Sequence, residues 1–285
     1  MIVPNRFFLS FPFLPLFALI AVSWCSLHPC AAQSTDLSMG ARSEAMAQSN
    51  VTMADEWSLF NNVGGISGVS EGVVFFGYRR FFDIEGFDKV AAGLVYPLKV
   101  GALGVSVVKF GDDLFSEQQL SASYGNKLGF VRLGIRASYY QMRIEDFGTA
   151  NAFMVDLGAI VELVPRLSFA TYISNFTVSK LNDGDGTKLP VLMKAGLSYR
   201  PTDDIRFNLD IHKDVEYDAQ LKAGLEYRIV EKFFVRMGVN SDPFRACFGG
   251  GMKFGRFQID YAATSHRFLG LAHQASVAFR YQKDE

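Results

Sequence analysis

From residue 71 to the C-terminus, apolar and polar residues alternate along the chain. Val131, Leu133, Ile135, Ala137 and Tyr139 are interleaved with Arg132, Gly134, Arg136, Ser138 and Tyr140. Phe153, Val155, Leu157, Ala159 and Val161 alternate in the same way with Met154, Asp156, Gly158, Ile160 and Glu162. A period of two sends successive side chains to opposite faces, so each segment is a strand with one apolar face. Fourteen such strands are predicted, near 73–80, 88–97, 101–110, 117–125, 130–143, 150–163, 167–177, 190–200, 205–214, 217–229, 233–241, 246–254, 257–265 and 273–281. The number is even, and most segments reach the roughly nine to eleven residues with which a tilted strand crosses a bilayer. Every second connection is tight: Pro97–Val100, Asn126–Gly129, Val164–Arg166, Pro201–Asp204, Val230–Lys232 and Gly255–Arg256. The intervening connections are mostly longer, including Phe81–Phe87, Val178–Leu189 and His266–Ala272. Short turns at one end and longer loops at the other are the asymmetry of an outer-membrane barrel, with the short turns and both termini in the periplasm.

Aromatic residues punctuate the same hairpins. Tyr96, Tyr124, Tyr199, Tyr227 and Phe254 precede short turns, and Phe130, Phe169, Phe207, Phe233 and Phe257 follow them. One aromatic in a strand reflects ordinary β-propensity. A repeat at successive hairpin bases is expected of an interfacial girdle. The hairpin is also a unit of local repetition, since Ala195-Gly196-Leu197-Ser198-Tyr199-Arg200 recurs as Ala223-Gly224-Leu225-Glu226-Tyr227-Arg228.

The first 70 residues follow other rules. Residues 1–32 read as a secretory signal: Arg6 in the n-region, an apolar stretch from Phe7 to Trp24, and small residues before a cleavage point at Gln33. Pro12 and Pro15 argue against an uncleaved membrane helix. Cys25 and Cys30 leave with the signal, so Cys247 has no partner for an internal disulfide. Residues 33–70 show no sustained alternation, with a short helix expected over Ala54–Phe60. Two readings are open for this segment: a luminal plug, or a periplasmic tail. Trp57, Leu59 and Phe60 are poor residues to leave in water, which favours the plug. The expected organisation is a signal over 1–32, a plug or hatch over 33–70, and a barrel over 71–285.

Composition narrows the function. Lys and Arg number 28 against 29 Asp and Glu, a formal net charge of −1. A nucleic-acid binder would carry a basic excess. The charges fall on the predicted inward face, notably Arg132, Arg136, Asp156, Lys194, Asp210, Lys222, Glu226, Arg236 and Asp260, joined by Glu162, Arg206, Lys253 and Arg280. Opposite signs on neighbouring strands, such as Lys194 and Asp210, are expected to pair across the ladder. Such a face is either a polar conduit or a salt-bridged interior. Catalytic motifs are thin. Beyond the signal the only histidines are His212, His266 and His273, and there is no HExxH, CxxC or GxSxG. His273 and Ser276 stand three apart on a strand and point to opposite faces. Asn182-Asp183-Gly184-Asp185-Gly186 has the composition of a calcium loop, but Lys188 and Lys194 stand where an EF-hand needs Gly and Glu, so it reads as a solvated loop tip. No enzyme activity, cofactor or metal is expected.

Several motifs resemble a known family. Gly40-Ala41-Arg42, Ala54-Asp55-Glu56-Trp57 and Asn61-Asn62-Val63-Gly64-Gly65 resemble the N-terminal segment of FadL-like outer-membrane barrels, most closely the PorV/PorQ branch of Bacteroidetes. Leu189-Pro190, the two Gly-Leu-x-Tyr-Arg strands, and Asp260-Tyr261-Ala262 followed by Leu269-Gly270 resemble its C-terminal half. The chain departs from the family at Asn62-Val63-Gly64, where Asn-Pro-Ala is usual, and at its end, where Gln282-Lys283-Asp284-Glu285 follows Tyr281. The resemblance implies an all-β transmembrane antiparallel barrel of about fourteen strands with an N-terminal hatch. Its candidate hatch residues here are Asp55, Glu56, Trp57, Phe60, Asn61, Asn62, Gly64 and Gly65. It also implies residence in the outer membrane of a Gram-negative cell, with outer-membrane lipid around it. Three roles compete: passage of small hydrophobic compounds, a docking component of type IX protein secretion, and a structural barrel without cargo.

Overall fold

The computed structural model describes residues 38–82, 84–184 and 186–281. The expected signal over residues 1–32 lies outside them, as do residues 33–37 and 282–285. Fourteen antiparallel strands form one closed ring in which each strand pairs with its neighbours in sequence and the last pairs with the first. The ring runs β1 (Gly72–Arg80), β2 (Asp88–Pro97), β3 (Ala102–Gly111), β4 (Phe115–Leu128), β5 (Val131–Ile144), β6 (Gly148–Val164) and β7 (Leu167–Ser174). It continues through β8 (Leu192–Tyr199), β9 (Ile205–Asp214), β10 (Gln220–Val230), β11 (Phe233–Ser241), β12 (Phe244–Phe254), β13 (Phe257–His266) and β14 (Gly270–Tyr281). Gly72 pairs with Tyr281 to close it. Closure leaves no edge strand, although β6 outruns β7 above Asp156.

The alternation read from the sequence is the alternation of inward and outward faces. Along β3 buried and exposed positions follow one another from Ala102 to Phe110. The outward face carries a band of exposed large apolar residues around the ring, among them Phe76, Val105, Ile135, Leu209, Ile211, Val235 and Ile259. The ten hairpin-base aromatics are all exposed on this outer surface. Such a face is unsuited to water and matches the apolar band of a membrane-spanning barrel.

Several boundaries differ from the sequence reading. β4 runs further at both ends, β12 starts at Phe244 and β14 at Gly270. The ladder therefore shortens the connections expected to be long: His266–Ala272 contracts to residues 267–269, and β11 joins β12 through Asp242 and Pro243 alone. The loop asymmetry rests chiefly on residues 81–87 and 175–191. Conversely, β7 stops at Ser174 rather than 177, because the Asp156 carboxylate, not a strand carbonyl, accepts the Asn175 N–H at 2.7 Å.

Candidate functional site

Residues 38–66 are buried almost throughout and carry three short helical turns: α1 (Ala41–Ala45), α2 (Ser58–Asn61) and a 3-10 turn (Val63–Gly68). α1 packs on β11 to β14, α2 on β3, and the 3-10 turn on β3 to β6. The inward-facing glycines explain how the segment fits. A Cβ at Gly77 would meet Trp57 at 2.7 Å, and one at Gly104 would meet Leu59. At Gly134 it would strike the Val63 carbonyl, at Gly158 the Asn62 side chain, and at Gly224 and Gly238 the Met46 region. These positions lack side chains where the N-terminal segment approaches the wall.

The predicted hatch residues act as three groups. Trp57 and Phe60 meet Phe75 of β1, with ring centroids 4.7 and 6.1 Å from it. Apolar Val73 and Phe75 therefore face inward on β1, continuous with inward Ala91 and Val95 of β2 and Ala102 and Val108 of β3. Asn61 and Asn62 brace the segment against itself and the wall. Asn61 donates to the Met39 carbonyl at 3.0 Å and accepts from its N–H, and Asn62 donates to the Val51 carbonyl at 2.6 Å. The Asn62 side-chain Oδ1 accepts the Gly64 N–H, which starts the 3-10 turn. Gly64 and Gly65 lie in that buried turn. Asp55 and Glu56 are ionic: Asp55 pairs with Arg42 at 3.1 Å and Glu56 with Arg280 at 2.9 Å.

The inward charges sort into clusters. On β10, β11 and β13, Arg42 grips Glu226 with two donors, Arg236 donates to the same carboxylate at 2.6 Å, and Arg236 also reaches Asp260 at 2.6 Å. On β5 and β6, Arg136 pairs with Asp156 at 2.5 Å and donates to the Tyr172 hydroxyl and the Leu59 carbonyl. Lys194 donates to Ser38 and Lys222 to Gln48. Lys194 and Asp210, expected to pair across the ladder, sit diagonally on β8 and β9, with Lys194 opposite His212 and Asp210 opposite Gly196. Asp210 also accepts the Val51 N–H at 2.9 Å. Arg132 is half-buried and takes part in none of these bonds among the described residues. Glu162 and Lys253 are exposed, and Arg206 and Arg280 half-buried.

The sequence reading missed one anchor. Glu44 of α1 receives both terminal nitrogens of Arg79 at 2.7 and 2.9 Å, and Thr264 at 2.6 Å. Arg79 occupies the inward register of β1 with Val73 and Phe75, so strand parity marks it. Glu44 carries no such signal, since its segment has no period. Burial pushes the Glu44 carboxyl up, but Arg79, Thr264 and Gln48 outweigh it and hold it below the ordinary carboxylate range. Burial and neighbouring Asp55 push Glu56 up, and Arg280 offsets only part of that. In loop 175–191, Thr187 and the Gly186 N–H hold Asp183 below its usual value, as in a turn tip.

Above Tyr140 the interior changes character. Tyr140, Ala150, Ala152 and Met154 form an apolar cluster with Leu181 and Leu189 of loop 175–191.

No protein-family profile and no curated protein matches the chain. Solved structures do. A Pseudomonas aeruginosa FadL homologue aligns with a TM-score of 0.65 at 12% identity, covering 86% of this chain and 98% of that one. The Pseudomonas putida toluene transporter TodX aligns with a TM-score of 0.62 at 11% identity, covering 84% and 96%. A deltaS2 mutant of the TodX monoaromatic hydrocarbon channel aligns at 0.60 and 12%, covering 88% and 100%. At these identities the likeness is one of fold alone.

Proposed function

We propose that this chain is an outer-membrane barrel that passes small hydrophobic compounds inward, with residues 33–70 as a hatch in its lumen. The observation that carries the reading is the seating of residues 38–66 on inward-facing side chains around the ring, by ion pairs and hydrogen bonds rather than apolar packing alone. Polar latches can be remade after opening, because their groups are satisfied by water in between. The exposed apolar band supports the membrane setting, and the FadL and TodX folds support hydrophobic cargo. The apolar cluster beneath loop 175–191 gives such cargo a first seat.

Four measurements bear on this. Vesicles carrying the folded barrel take up labelled toluene or oleate faster than empty vesicles; uptake equal to empty vesicles defeats the transport role. Co-purification of secretion-machinery proteins without uptake would mark a docking component instead. Leu209→Arg, on the outward face near the middle of β9, is expected to cost about 2–4 kcal/mol in urea unfolding from lipid vesicles. A barrel that lives in water would show no such penalty. If residues 1–32 are an export signal, N-terminal sequencing of the membrane-inserted protein begins at Gln33.

A further inference from the structure

We propose that loop 175–191 and the N-terminal segment are coupled through the buried Arg136–Asp156 pair, so that lifting the loop frees the α2 end of the segment. This deepens the hatch reading and rests on it for its meaning, but its test needs no cargo.

The loop occupies a gap in the wall. β6 extends up to Gly148, whereas β7 ends at Ser174, level with Asp156 and Leu157. Above that level the free side of β6 bonds to the loop: the Phe176 N–H donates to the Val155 carbonyl at 2.8 Å, and the Asn182 N–H to the Asn151 carbonyl at 2.9 Å. The loop's Leu181 and Leu189 turn inward onto Tyr140 and Met154.

Asn175 clips both ends of this loop. Its amide donates to the Leu189 and Pro190 carbonyls at 3.0 and 3.3 Å, and its carbonyl oxygen accepts the Ser179 N–H at 2.9 Å. Asn175 has φ 54° and Val178 φ 51°. Asparagine tolerates that left-handed region, whereas a β-branched valine there is strained. The closed loop thus holds a conformation that its anchors must maintain.

Those anchors lead to the N-terminal segment. Asn175 N–H and Ser174 Oγ donate to one oxygen of Asp156 at 2.7 and 3.0 Å, and Arg136 donates to the other. Arg136 also donates to the carbonyl of Leu59 in α2. The pair is 5% and 0% exposed, so each charge depends on the other's position. If the loop withdraws Asn175, Asp156 loses that N–H and shifts with its partner Arg136, whose guanidinium holds Leu59. α1 is anchored separately by Glu44–Arg79 and Arg42–Glu226, so the loosening is directional.

Hydrogen exchange of the full chain in lipid nanodiscs tests this. Asn175→Ala is expected to speed exchange about tenfold in residues 175–191 and also in 57–62, leaving 41–47 unchanged. Faster exchange in the loop alone overturns the coupling. Equal acceleration of 41–47 overturns its direction, and an unchanged loop overturns the role of Asn175. Should Asn175→Ala fail to form a barrel, Asp156→Asn cuts the same chain one bond further in and is judged on residues 57–62 against 41–47.

Discussion

Replacing Arg136 by methionine is expected to destabilise the barrel by about 3–5 kcal/mol, the cost of leaving one buried charge without its counter-ion. Methionine approximates the aliphatic stem, so packing changes little and the loss is electrostatic. What remains is Asp156, fully buried, with Ser174 and Asn175 as donors but no cation. The Tyr172 hydroxyl and the Leu59 carbonyl lose the same partner. Urea unfolding in lipid vesicles reads the effect. The double variant Arg136→Met with Asp156→Asn is expected to recover part of the loss, since it removes the orphaned charge. A single variant within about 0.5 kcal/mol of the parent would mean that the pair is hydrated and not structural.

Gly134→Val is expected to have the second large effect, and on a different part of the molecule. The added Cβ would strike the Val63 carbonyl and approach Gly64 N at 2.7 Å, and both are backbone atoms that no rotamer change can remove. Overpacking against movable side chains costs about 1–3 kcal/mol. Here the 3-10 turn must lift from β5 and β6, giving up the Asn62 bonds to the Val51, Ala159 and Thr171 carbonyls. The strand ladder is untouched, so the expected phenotype is an intact barrel with an unseated segment. Folded-barrel migration on gels would stay as in the parent, while residues 58–66 lose exchange protection. Retained protection there would place the turn elsewhere than against β5.

These two residues show what the sequence made legible. Arg136 and Gly134 were visible as inward-face positions because a strand has only two faces and the outer one must be apolar. The same parity placed Asp156, Lys222, Glu226, Arg236 and Asp260 together on the inside. Parity says nothing about partners, which depend on the register and on the N-terminal segment. Lys194 donates to Ser38, a partner that parity could not name. The segment itself was only partly legible. Its aromatics signalled burial, but Glu44 and Arg42 sit in a stretch without period, and their partners lie 35 and 184 residues away. The apolar inward face of β1 follows only once Trp57 and Phe60 are set against Phe75. The upper end of β7 was misjudged because a side chain, Asp156, ends it.

The central claim is that residues 38–66 close the barrel's interior and are held there by bonds that can be released. Ion conductance across a planar lipid bilayer tests it most directly, comparing the intact chain with a form lacking residues 41–61. The account predicts no steady current through the intact protein and steady open-channel current through the deleted one, both migrating as folded barrels. A deleted form that stays closed, or an intact protein that conducts as freely as the deleted one, would contradict it.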